Sequence, residues 1–191
     1  MKKTITSIAI VVLMSLSTAY ALRITSDENG PVIVSEPQLK IGDRAPRVTL
    51  TTSNYKKQTI GGVAGKVQII STIESYNTSV CDEQTMKLNE AAKRLKDVDI
   101  SVVTANMPFI VDDFKSKHKI NNINLLSTFN SDVFGKKYGV QVVGGELKGI
   151  LARAVFVVNK NGKVIYKEIT PNIDHMPDLE KAIHAAERAS R

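Results

Sequence analysis

The chain has 191 residues, with 26 Lys and Arg against 19 Asp and Glu and a formal net charge of +7. Hydrophobic residues make up 42% and charged residues 24%, an ordinary globular balance. The absence of Trp and an aromatic content of 5% argue against a nucleic-acid stacking surface, and the length suggests one domain once any targeting segment is set aside.

The first residues carry the three parts of a secretory signal. Lys2 and Lys3 form a positive start, Ile8 to Leu16 an apolar stretch too short to span a bilayer, and Ala19-Tyr20-Ala21 a small-residue cleavage site. Cleavage is expected after Ala21, which places the mature chain outside the cytoplasm, in the periplasm. Loss of Lys2 and Lys3 takes the formal charge from +7 to +5. The remaining basic residues are scattered and read as a solvated surface. No later segment is apolar enough to cross a membrane.

Residues 22–38 read as an N-terminal extension containing a short strand at Pro31 to Val34, and the folded domain is expected over 39–191. Val48 to Leu50 resumes a strand, and Tyr55 to Val63 looks irregular. Val67 to Ile73 is apolar nearly throughout and β-branched, the pattern of a strand buried on both faces. Asp82 to Lys96 has Leu88, Ala91, Ala92 and Leu95 at helical spacing, with Lys87, Glu90 and Lys93 on the other side. Val98 to Ala105 and Ile123 to Leu126 read as strands, with a short helix at Val111 to His118 between them. Val133 to Tyr138 is a short helix ended by Gly139. Gly144 and Gly145 mark a loop. Leu151 to Val158 is an apolar strand interrupted by one charge, Arg153. Asn161-Gly162 makes a hairpin turn to a return strand, Lys163 to Ile169. Met176 to Arg188 closes the chain as a helix whose inner face is Leu179, Ala182, Ile183 and Ala186. This order implies an α/β fold, a mixed sheet flanked by helices on both faces.

Chemistry centres on Cys81, the single cysteine. It lies at a strand-to-helix turn, where unpaired backbone N–H groups and the helix dipole favour a thiolate. In an exported protein an unpaired thiol is exposed to oxidation and cannot form an internal disulfide. Thr78, three residues earlier, can present a hydroxyl on the same side. Arg153 sits inside a strand and needs a partner if buried. The plainer readings are a small buried cysteine, a helix-capping threonine and a structural ion pair at the arginine. His118, His175 and His184 are far apart, and no cysteine–histidine pair has metal spacing, so no metal site is expected. No phosphate-binding glycine loop and no cysteine-hydrolase signature is present.

Several stretches together are similar to thiol peroxidases, the atypical two-cysteine branch of the peroxiredoxins. They are Leu39 to Pro46, Gly65-Lys66, Asn77 to Asp82, Lys87 to Glu90, Met107 to Phe109, Phe134 to Val140 and Leu147 to Val157. The resemblance implies a thioredoxin-like fold and a homodimer, with no organic or metal cofactor. It implies that Cys81 is the peroxidatic cysteine, that Thr78 holds the peroxide and that Arg153 stabilises the thiolate. Two positions depart from the family pattern. Lys115 stands where the resolving cysteine is expected, so an outside thiol must regenerate Cys81. Glu74 stands where proline is expected. Its carboxylate would disfavour the thiolate, pair with Arg153, or face solvent. A redox sensor or binding partner that keeps the fold without turnover is the alternative reading.

Overall fold

A computed structural model describes residues 21–191 apart from Asn77; the expected signal segment, 1–21, lies outside the described residues except for Ala21. The sheet is built around an inner strand, β5 (Val67–Thr72), all six of whose residues are buried. A strand covered on both faces has no need of polar alternation, which is why it reads as an apolar run. It pairs in parallel with β6 (Val98–Thr104), which pairs in parallel with β7 (Asn124–Ser127). On its other side β5 pairs antiparallel with β9 (Ala154–Val158), and β9 with β10 (Val164–Ile169). Two further strands, β3 (Val48–Thr52) and β4 (Lys57–Ile60), complete a seven-stranded mixed sheet in the order β10-β9-β5-β6-β7-β3-β4.

Alternating side chains of these strands feed two cores. Ile69, Ile100, Val102 and Val157 face α1 (Ser79–Ala92), α2 (Pro108–Lys117) and α4 (Leu179–Ser190). Ile70, Val103 and Phe156 face the opposite way, toward α3 (Val133–Tyr138) and the N-terminal strands. Helices on both faces of a mixed sheet agree with the expected architecture. Leu88, Ala91 and Leu95 of the first helical stretch are buried, as are Leu179, Ala182, Ile183 and Ala186 of the last. Gly139 ends α3 at φ 65°, a left-handed conformation that glycine adopts without steric cost.

Three expectations change. The stretch from Tyr55 to Val63 is not wholly irregular, because β4 within it pairs antiparallel with β3 from Val48↔Ile60 to Thr51↔Lys57. The N-terminal extension is a hairpin, β1 (Leu22–Ser26) and β2 (Gly30–Val34). With β8 (Val142–Gly144), which occupies part of the expected glycine loop, it forms a separate three-stranded sheet. Ile24, Val32 and Val34 from this sheet join the second core. Boundaries also move: α1 starts at Ser79, ahead of Cys81, β9 starts at Ala154, just after Arg153, α2 starts at Pro108 and α4 at Leu179. Among the described residues, no helix is long and apolar enough to cross a membrane.

Candidate active site

Cys81 lies in the first turn of α1 and is fully buried. Its carbonyl accepts a hydrogen bond from Thr85 Oγ1 at 2.8 Å. N–H groups of a first helical turn have no partner inside the helix, and the dipole there is positive. Both effects stabilise negative charge near the sulfur.

Thr78 is the residue before the helix, with extended backbone (φ −116°, ψ 142°). Its side chain does not cap the helix. Among the described residues its hydroxyl makes only a long contact, donating to the Ser75 carbonyl at 3.4 Å. The capping reading of Thr78 therefore applies to its backbone and not to its hydroxyl, which is spared for another partner.

Arg153, 1% exposed, is the largest fully buried side chain among the described residues. A buried guanidinium is tolerable only with its donors satisfied. Nε donates to the Ile173 carbonyl at 2.5 Å and Nη1 to Gln84 Oε1 at 2.8 Å. Nη2 donates to Glu74 Oε1 at 3.0 Å and lies 3.4 Å from Cys81 Sγ. The structure thus brings Cys81 and Arg153 together from positions 72 residues apart. Thr78 and Arg153 line the same cleft, of about 250 Å³.

Two further residues hold the guanidinium. Gln84 is buried on α1 and also donates from Nε2 to Ser71 Oγ at 2.7 Å. Sequence reasoning missed it; the available signal was a polar side chain three residues after Cys81, on the inward face of the helix. Glu74 resolves in favour of the ion pair: it is buried against Arg153 and does not face solvent. Burial pushes its carboxyl up, Arg153 pulls it back, and Asp174 pushes it up again, leaving it above its ordinary value.

The loop carrying Glu74 is tied to the end of β6. Thr104 Oγ1 donates to the Glu74 carbonyl at 3.2 Å, and the Tyr76 N–H donates to Asn106 Oδ1 at 3.0 Å. Asn106 Nδ2 donates to Ser75 Oγ at 3.1 Å. These bonds fix a backbone that proline would otherwise stiffen. Tyr76 stacks on Phe114 of α2 with ring centroids 4.2 Å apart, in the same buried core as Cys81. Lys115, the next residue of α2, is exposed.

A thiol beside a fixed arginine, with a spare hydroxyl at the helix start, is equipped to stabilise charge as sulfur attacks an oxygen. A protein-family model described as Redoxin matches residues 40–183. The chain belongs to the Redoxin family. Among curated relatives it is similar to the thiol peroxidase of Aquifex aeolicus (strain VF5), with 38% identity over 157 residues, 82% of this chain and 92% of that one. The thiol peroxidase of Bacillus subtilis (strain 168) is also 38% identical, over 159 residues, 83% of this chain and 93% of the other. Among solved structures, a peroxiredoxin-like protein from Aquifex aeolicus aligns with a TM-score of 0.83 at 35% identity, covering 87% of this chain and 96% of that one. A thiol peroxidase from Chromobacterium violaceum shares the fold at 18% identity, with a TM-score of 0.78 over 88% of this chain and 98% of its own. The thioredoxin-like fold of this Redoxin chain accords with both structures.

Proposed function

We propose that this Redoxin protein reduces hydroperoxides at Cys81, with an external thiol as reductant. The Cys81 thiolate attacks the terminal oxygen of R–O–O–H. The O–O bond breaks, the sulfur becomes a sulfenic acid, and the leaving alkoxide takes a proton to become R–OH. A thiol R′–SH then displaces the hydroxyl as water, forming a mixed disulfide. A second R′–SH releases the Cys81 thiol and R′–S–S–R′. With one cysteine in the chain, no internal disulfide can replace the external thiol.

The observation that carries this reading is the approach of Arg153 Nη2 to Cys81 Sγ at 3.4 Å, at a cleft shared with Thr78. In this reading Arg153 stabilises the thiolate and the polarised oxygens, and Thr78 donates its hydroxyl to the peroxide. Millisecond mixing of the reduced protein with hydrogen peroxide, followed by mass spectrometry, tests it. Rapid sulfenic acid formation at Cys81, abolished in Cys81→Ser, is expected. A thiol no faster than free cysteine would leave the sensor or binding role instead.

The signal pattern supports export to the periplasm with Leu22 as the mature amino terminus; terminal sequencing of protein from the cell envelope tests this. We also assign the protein a homodimeric state. Met107, Phe109, Phe129 and Val143 are exposed apolar side chains, and the last two line a cleft of about 570 Å³ that reaches Ala105. A second copy would cover this face. Sedimentation of wild type and of Phe129→Lys is expected to show a dimer and a monomer respectively.

A further inference from the structure

The cleft that reaches Arg153 and Thr78 has an acidic rim built by the N-terminal hairpin. Asp27 and Glu28, at the turn between β1 and β2, line it, and Asp174 lines it from the segment before α4. The rim contrasts with a chain whose formal net charge is +7. Arg153, which also lines the cleft, is already engaged by Glu74, and the His175 ring nitrogen Nε2 lies 3.5 Å from Asp27 Oδ2.

The rim is held in place by bonds that lead back to the site. Asp174 Oδ2 accepts from Ser26 Oγ at 2.9 Å and from the Asp27 N–H at 2.7 Å. Asp27 Oδ1 accepts from Asn172 Nδ2 at 2.6 Å. The Thr25 N–H donates to the Pro171 carbonyl at 3.0 Å, and the Ile173 N–H donates to the Thr25 carbonyl at 2.8 Å. The carbonyl of Ile173 in turn accepts from Arg153 Nε. Asp27 and Asp174 are therefore fixed at a cleft that Arg153 and Thr78 also line, and Arg153 connects it to the buried Cys81 sulfur.

From this geometry we infer that Asp27, Glu28 and Asp174 form a charge filter that admits neutral hydroperoxides to Cys81 and rejects anionic ones. The inference rests on the peroxidase reading and adds the substrate class. Like charges at a cleft mouth lower the local concentration of an anionic substrate, and the effect is screened by salt. A neutral peroxide is untouched by it.

The test compares a short-chain hydroperoxy carboxylic acid with its methyl ester, which differ at neutral pH by one negative charge. Rates of Cys81 sulfenic acid formation are measured for both at low and high ionic strength. Three carboxylates are expected to favour the ester by about three- to tenfold at low salt. The ratio should fall toward that of free cysteine in 0.5 M salt, where the Debye length is about three times shorter than at 0.05 M. Glu28→Lys reverses one rim charge at an exposed turn residue and should raise the acid-to-ester ratio at low salt. Equal rates for acid and ester, or a ratio insensitive to both salt and Glu28→Lys, overturn the filter. If Cys81 fails to react with hydrogen peroxide as well, the peroxidase reading falls and the filter with it; reaction with hydrogen peroxide but no acid–ester difference removes the filter alone.

Discussion

Glu74 Oε1 lies 3.0 Å from Arg153 Nη2, the same nitrogen that stands 3.4 Å from Cys81 Sγ. Carboxylate and sulfur therefore accept from one nitrogen, whose two N–H groups can serve one each. A negative charge on Glu74 both occupies the guanidinium and opposes a second negative charge on the sulfur. Whatever turnover this chain sustains is set against that competition.

Removing the charge while keeping the shape isolates this effect. In Glu74→Gln sulfenic acid formation at neutral pH is expected to accelerate by about three- to tenfold, about 0.7–1.4 kcal/mol of electrostatic stabilisation. Glu74→Pro, which restores the family residue, should move in the same direction. Stopped-flow peroxide consumption across a pH series measures both; an unchanged rate in Glu74→Gln would show that the carboxylate does not compete.

The same carboxyl makes stability depend on pH in a direction opposite to that of an ordinary salt-bridged acid. Its native-state ionisation is raised from 4.5, so above that pH the native protein holds a proton the unfolded chain has released. Stability from this group is then present at acid pH and lost as pH rises through the raised native value. Wild type should lose stability relative to Glu74→Gln as pH increases from about 4.5 toward neutrality. Denaturant titrations of both proteins at several pH values supply the comparison, and parallel curves would refute it.

Arg153→Met removes four contacts at once and leaves Glu74 in a buried site without its cation. A stability loss of about 3–5 kcal/mol is expected, since breaking a buried pair strands the remaining charge. The double variant Glu74→Gln with Arg153→Met should regain part of it. Both should lose peroxide reactivity by at least about a hundredfold. Circular dichroism at the assay temperature separates lost chemistry from lost fold.

Thr78 offers a cleaner separation. Its hydroxyl makes no capping bond, so Thr78→Val should cost little stability, within about 0.5–1 kcal/mol. If the hydroxyl holds the peroxide, the rate should fall by about tenfold or more and Thr78→Ser should restore most of it. Equal rates in Val and Ser variants would remove Thr78 from the reaction.

What could be read from sequence follows the range of the interactions. The buried run of β5, the inward stripe of α4 and the Gly139 stop of α3 are local patterns, and each was legible. The strands β1 and β4 were not. Lys57 and Thr59 face solvent in a short strand whose only partner among the described residues is β3, and β1 alternates exposed Arg23 and Thr25 with buried Ile24 and Ser26. Their regularity comes from a neighbour, and propensity alone does not show it. At the site, Cys81, Thr78 and Arg153 stood out by residue type and motif. Gln84 did not, because a glutamine on a helix is commonplace until an arginine 69 residues away is seen to end on it. The choice among three fates for Glu74 needed the same arginine in place.

The hairpin has a practical consequence for anyone shortening this chain. The family match begins at residue 40, and trimming to that point looks harmless because no hairpin side chain is among the partners of the guanidinium. Yet Thr25 grips the backbone of Ile173, and Ile173 grips Arg153. A truncated protein would retain every residue of the recognised motif and still have a slackened arginine. The amino end is thus a remote part of the active centre, and tags or deletions there are mutations of it.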